Sequence, residues 1–138
     1  MCGIIGYYIK NPLQDLDNRL KAGLRALHHR GPDDQGQLCL NLTNGSLALG
    51  HTRLSIIDLT SGGHQPMGSP DGRYTIIFNG EIYNYRELRL DLKSLGQAFH
   101  TDSDTEVLLA AWAQWGLDAL HRLRGMFAFA IFDRATNS

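Results

Sequence analysis

The stretch directly after Met1 constrains this chain more than any other. Cys2-Gly3-Ile4-Ile5-Gly6-Tyr7-Tyr8-Ile9 is β-branched and aromatic and carries no helix-capping residue. It reads as a strand buried on both faces, which draws the start of the chain into the core. A second run of the same kind, Met126-Phe127-Ala128-Phe129-Ala130-Ile131-Phe132-Asp133, lies near the other end and reads as another central strand. With 138 residues, 43% of them hydrophobic, the chain is long enough for one core shared by both strands.

The intervening residues supply helices and a hairpin. Leu13, Leu16, Leu20, Leu24 and Leu27 fall on one helical stripe, which ends near His28-His29 and is stopped by Gly31-Pro32. Residues 35–42 and 47–54 alternate apolar and polar around Thr43-Asn44-Gly45-Ser46. Asn44-Gly45 suits positive φ at both central turn positions, so a hairpin is expected there. Ser61-Gly62-Gly63-His64-Gln65-Pro66 reads as a loop, followed by a strand over 73–79. Asn84 with Glu87 and Ser103 with Glu106 have the spacing of capping boxes. Helices are expected after each, closed by Gly96 and Gly116, with one more short turn carrying Leu117, Leu120 and Leu123. The pattern is that of an α+β domain with mostly antiparallel pairing.

Charge and cysteine usage narrow the function. Thirteen Lys and Arg against fourteen Asp and Glu give a net charge of -1, which offers no basic field for nucleic acid. The longest apolar run, 126–132, is far short of the ~20 residues of a membrane helix, and no signal-peptide pattern opens the chain. A cytoplasmic protein with neither nucleic acid nor membrane as partner is expected. Cys39, within an apolar alternation, reads as a small buried hydrophobe. Cys2 is a poor position for a core thiol. Once Met1 is removed, Cys2 carries an α-amine and a thiol on one residue, and their reference pKa values, ~7.7–8.0 and ~8.5, let the amine act as base for the thiol. His28-His29 reads as an exposed helix end, because adjacent helical residues point to different sides and no third metal ligand is suggested. Asn41-Leu42-Thr43 and Asn44-Gly45-Ser46 match glycosylation acceptors but are read as hairpin residues.

Seven segments occur in order: Met1-Cys2-Gly3-Ile4, Arg30-Gly31-Pro32-Asp33-Asp34, Gly50-His51-Thr52-Arg53-Leu54-Ser55-Ile56-Ile57-Asp58, Gly63-His64-Gln65-Pro66-Met67, Phe78-Asn79-Gly80-Glu81-Ile82-Tyr83-Asn84-Tyr85, Ser103-Asp104-Thr105-Glu106 and Gly125-Met126-Phe127-Ala128-Phe129-Ala130. Together they resemble the class II glutamine amidotransferase domain, most closely the glutaminase domain of asparagine synthetases, from Cys2 to Asp133. The resemblance implies a four-layer α/β/β/α sandwich of the N-terminal-nucleophile hydrolase type. It implies that Cys2 attacks the side-chain amide of L-glutamine, giving a thioester and ammonia. Asn79 and the Gly80 N–H match the oxyanion donors, Arg53 the cation for the substrate carboxylate, Asp104 the anion for its ammonium, and Glu81 a secondary contact. No cofactor is implied for this domain. ATP and Mg belong to a synthetase domain or subunit that would accept the ammonia. Ser61-Gly62-Gly63 looks like the opening of a pyrophosphate loop, yet His64-Gln65-Pro66 stands where Asp-Ser would follow, so no nucleotide site is expected.

The family domain continues past the strand at 126–133 into further strands, and the turn at 134–138 leads into none. A single amidotransferase domain over 1–138, incomplete at its C-terminus, is therefore expected, with an open strand edge that favours a homodimer or a poorly ordered last segment. Two other functions share some of these residues. A non-catalytic module that senses glutamine or scaffolds a partner would not require Cys2. An N-terminal-nucleophile hydrolase acting on another amide would not require both Arg53 and Asp104.

Overall fold

A computed structural model of the chain describes residues 2–10, 15–56 and 60–138. Leu13, first on the expected helix stripe, and Ile57 and Asp58 of the 50–58 segment lie outside them. The elements run β1 (Gly3–Ile9), α1 (Leu16–Leu27), β2 (Asp34–Leu42), β3 (Gly45–Arg53), β4 (Met67–Gly68), β5 (Tyr74–Ile82), α2 (Tyr85–Ser94), α3 (Asp104–Trp115) and β6 (Gly125–Asp133). Short 3-10 turns occupy His28–Arg30, Ser61–Gly63 and Gly116–His121. The strands form two antiparallel sheets, ordered β1-β3-β2 and β4-β5-β6.

Three apolar clusters separate four layers. Leu16, Leu20 and Leu24 of α1 pack on Ala48, with Ile5, Tyr7 and Ile9 of β1 alongside. Leu47 and Leu49 project from the opposite face of β3 and meet Ile77 of β5 and Phe132 of β6 between the sheets. Ile76, Phe78 and Ile82, on the other face of β5, are covered by Leu88 and Leu92 of α2 and Val107, Leu108 and Ala111 of α3. Side-chain alternation along β3 and β5 thus sorts their residues into helix-facing and sheet-facing sets. The order is α1, sheet, sheet, α2 with α3, which is the expected α/β/β/α sandwich.

Several local expectations need correction. Neither terminal strand is central among the described residues: β3 and β5 are, while β1 and β6 are edges. Gly6 and Tyr8 are exposed, as are residues 125–128 of β6. The hairpin forms, but Leu42 pairs with Gly45, so Thr43-Asn44 makes the turn. Gly45 is needed for another reason: a Cβ there would collide with the Ile9 carbonyl of β1. Asn84 precedes α2 without capping it, because its side chain instead accepts from Arg124 N–H (2.8 Å) and donates to the Arg122 carbonyl (2.9 Å). Ser103 does cap α3, accepting from Glu106 N–H at 3.2 Å, and the Glu106 carboxylate accepts from the N–H groups of His100 and Thr101. Cys39 lies on the outer face of β2 and is exposed. His28 and His29 are exposed, as expected.

His51 is a buried polar group of the sheet interface, 1% exposed. Its Nε2 lies 3.1 Å from the Phe78 carbonyl, which can only accept, so Nε2 carries the proton and Nδ1 is left without a partner. Burial lowers its pKa from 6.5 to about 4. A depressed histidine pKa contributes stability that is intact above 6.5 and is lost as pH falls through about 4, because the unfolded chain takes up the proton first. The full difference is worth about 3 kcal/mol. The His51→Gln variant, which keeps a donor without the ionisation, is expected to show a flatter loss of melting temperature between pH 6.5 and 4; equal slopes for the two proteins would contradict this.

Candidate active site

β1 begins where β3 ends, because Gly3 pairs with Thr52. Cys2 shares the sheet-facing parity of Ile4, and Arg53 that of Leu47 and Leu49. Asn79 and Glu81 share the parity of Ile77 on β5. One end of the inter-sheet space therefore collects a thiol, a guanidinium, an amide and a carboxylate. All six residues singled out from sequence, Cys2, Arg53, Asn79, Gly80, Glu81 and Asp104, line one cavity of about 140 Å³ there. That volume suits a small metabolite, well below the roughly 300–1,000 Å³ of pockets for drug-sized ligands.

The thiol is held at the end of β3. Leu54 N–H donates to Cys2 Sγ at 3.4 Å, and Sγ lies 3.7 Å from the Leu54 carbonyl. Arg30 Nε donates to the Cys2 carbonyl at 3.0 Å, which fixes the backbone that carries the thiol. Arg53 is 7% exposed, and its Nη1 donates to the Thr60 carbonyl at 2.7 Å. The Ser61–Gly63 turn lies flat against this guanidinium, and any side chain at Gly63 would collide with it. Gly63, part of the segment that resembled a pyrophosphate loop, thus makes room for Arg53.

Asn79 and Gly80 lie inside β5, opposite Ala128 and Phe127 of β6, and not in a turn after a strand. The edge of β5 away from β6 is largely bare, because β4 pairs only with Thr75 and Ile76. Backbone groups of alternate residues point to that edge. There, Phe78 N–H donates to Gln65 Oε1 (2.6 Å), the Phe78 carbonyl meets His51, and Ile82 N–H donates to Asp104 Oδ2 (3.0 Å). Tyr83 N–H, one position on, points the other way and donates to Arg124 on the β6 side. The same alternation aims the Gly80 N–H into the cavity. Asn79 Oδ1 is buried without a partner. Gly80, with its backbone N–H, and Asn79, with its side-chain NH₂, both line the cavity.

Charged groups line the same cavity. Asp104 opens α3 and is 6% exposed. Burial raises its carboxyl above the ordinary aspartate range, against the lowering effect of N–H groups from Ile82, Asp104 itself and Thr105, and exposed Glu81 adds to the rise. A guanidinium and two carboxylates in one cavity suit a zwitterion. Of the lining residues with polar side chains, sequence reasoning missed three, Gln65, Ser103 and Thr105. Gln65 stood in a quoted segment, but nothing in its spacing distinguishes a buried bridging amide from a loop residue.

The Glutamine amidotransferase domain family model matches residues 1–138. The chain belongs to this family. It is 46% identical over 137 residues to "Asparagine synthetase [glutamine-hydrolyzing] 1" of Bacillus subtilis (strain 168), covering 97% of this chain and 21% of that protein. Identity to "Asparagine synthetase B [glutamine-hydrolyzing]" of Escherichia coli (strain K12) is 38% over 134 residues, 96% of this chain and 23% of that one. The chain thus spans about a fifth of the length of these relatives. Among solved structures, the B. subtilis glutamine phosphoribosylpyrophosphate (PRPP) amidotransferase complexed with ADP and GMP matches with a TM-score of 0.72 and 24% identity, over 96% of this chain and 34% of that one. That likeness supports the sandwich fold. No helix among the described residues is long and apolar enough to cross a membrane, and they gather no cluster of three or more His, Cys, Asp or Glu for a metal.

The raised pKa of Asp104 sets a pH test. A raised carboxyl contributes stability below the ordinary aspartate range that is lost as pH rises through the raised value. Asp104→Asn, which keeps an acceptor for Ile82 N–H, is expected to melt higher than the parent at pH 7. The same variant is expected to raise KM for an amino-acid substrate about 10- to 100-fold, as for loss of a charged hydrogen bond. An unchanged melting temperature together with an unchanged KM would contradict the assignment.

Proposed function

We propose that this domain hydrolyses L-glutamine to glutamate and ammonia through a thioester on Cys2, and supplies the ammonia to a synthetase domain or subunit, in the cytoplasm, that forms an amide. The observation that carries this reading is the single cavity lined together by the Cys2 thiol, the Asn79-Gly80 pair, the Arg53 guanidinium and the buried Asp104 carboxylate. Glutamine has a matching charge at each end of its α-carbon and an amide two methylenes away.

Each step uses groups already described. With Met1 removed, the Cys2 α-amine accepts the thiol proton as Sγ attacks the amide carbon. The oxygen that becomes negative is met by Asn79 Nδ2 and Gly80 N–H, donors fixed in place before the reaction. The α-ammonium so formed returns its proton to the departing NH₂, which leaves as ammonia, and a C–S bond replaces the C–N bond. Water, deprotonated by the same amine, then releases glutamate and restores the thiol. Arg53 grips the α-carboxylate through the chain of reactions, and Asp104 with Glu81 holds the α-ammonium. Balance requires only glutamine and water, so the step calls on no cofactor. A retained Met1 would turn the amine into a peptide nitrogen and remove the base.

The two kinds of contact predict different kinetics. Asn79→Ala is expected to lower kcat about 100- to 1,000-fold with little change in KM, since it acts on developing charge. Arg53→Ala is expected to act mainly through KM. Steady-state glutaminase assays, with asparagine as the control amide, check both; equal kcat for Asn79→Ala and parent, or equal turnover of asparagine, would overturn the reading.

A further inference from the structure

Gln65 is 4% exposed, and a buried primary amide is costly unless both its ends are bonded. Both are. Oε1 accepts from Phe78 N–H at 2.6 Å, and Nε2 donates to Thr105 Oγ1 at 3.2 Å. Phe78 immediately precedes the Asn79-Gly80 donors, and Thr105 immediately follows Asp104. One side chain therefore ties the strand that carries the donors to the helix start that carries the carboxylate. Its own backbone is fixed as well: the Gln65 carbonyl lies so close to β2 that any side chain at Gly36 would collide with it.

The spacing this bridge controls is one that chemistry needs. A substrate held by its ammonium at Asp104 presents its amide carbon to the donors only if those two points keep a set separation. Displacement of reacting groups by about 1 Å can cost about 100-fold in rate. On the edge away from β6, β5 has no strand partner at Phe78, because β4 begins only at Met67, opposite Ile76. We propose that Gln65 is a positioning residue that sets the distance between the Asn79-Gly80 donors and the Asp104 carboxylate. This rests on the glutamine reading above. His51 holds the Phe78 carbonyl from the other sheet but makes no bond to α3, so it steadies the strand without setting the spacing.

Two variants of the full chain separate the links. Gln65→Met cuts both bonds, and Thr105→Val cuts only the one to α3 while leaving Gln65 on Phe78. Amide hydrogen exchange in the substrate-free protein reads the bridge without reference to activity. Gln65→Met is expected to speed exchange at both Phe78 and Ile82, the latter through its bond to Asp104. Thr105→Val is expected to speed Ile82 alone, and this milder change keeps the test open if Gln65→Met does not fold. In glutaminase assays Gln65→Met is expected to lower kcat/KM about 10- to 100-fold. Adding Asp104→Asn to Gln65→Met is expected to cost less than the product of the two single losses, a coupling that general destabilisation would not produce. Unchanged Ile82 exchange in both variants, or strictly multiplicative losses, would overturn the proposal. A parent protein that shows the expected exchange pattern but does not hydrolyse glutamine would overturn the functional reading and leave the bridge standing.

Discussion

The apolar contact between the two sheets is the constraint on which the site depends. Leu47 and Leu49 from one sheet meet Ile77 and Phe132 from the other, and this packing fixes which face of β3 and β5 is turned inward. A slip of one residue in either strand would send every side chain to the opposite face. Arg53, Asn79 and Glu81 sit on the same parity as those apolar residues, so the register that buries the leucines also assembles the polar end of the cavity. Truncating a buried leucine here would cost about 2–5 kcal/mol, and the strand geometry would be lost with the packing.

The site departs from what stability alone would favour. Asp104 is buried with its carboxyl destabilised in the charged form. Asn79 Oδ1 and His51 Nδ1 are buried without partners. The free edge of β5 is completed by side chains from three other elements, where a longer β4 would have supplied backbone partners and covered Gly80. Asp104 leaves a buried charge available at the cavity, and the surrounding three-cluster core offsets the cost of these departures.

The layered fold was legible because its periodicities are strong: the leucine stripe of α1, the alternation of the hairpin and the Ser103-Glu106 cap each depend on neighbours in sequence. Errors came where a distant contact decides. Asn44-Gly45 looks like a turn, yet the glycine is needed against the Ile9 carbonyl, and the turn moves back one residue. Asn84 looks like a cap, yet its amide is taken by the Arg122–Arg124 backbone. The strand expected to end at Asn79 runs on to Ile82, because pairing with β6 continues through Gly80 and Glu81. All six candidate site residues share one cavity, because the ordered segments that suggested them carry chemistry tied to residue type. Gln65 escaped notice because its bridge spans Phe78 and Thr105, two residues from separate layers of structure.

The central claim is that the Cys2 thiol forms a covalent bond to the amide carbon of glutamine. Rapid acid quench of the processed protein mixed with glutamine, followed by peptide mass spectrometry, tests it directly. The account predicts a γ-glutamyl adduct on the peptide that begins with Cys2, absent with asparagine and absent from Cys2→Ser. Glutamine turnover at the parent rate in Cys2→Ser, or an adduct found only at another residue, would contradict it.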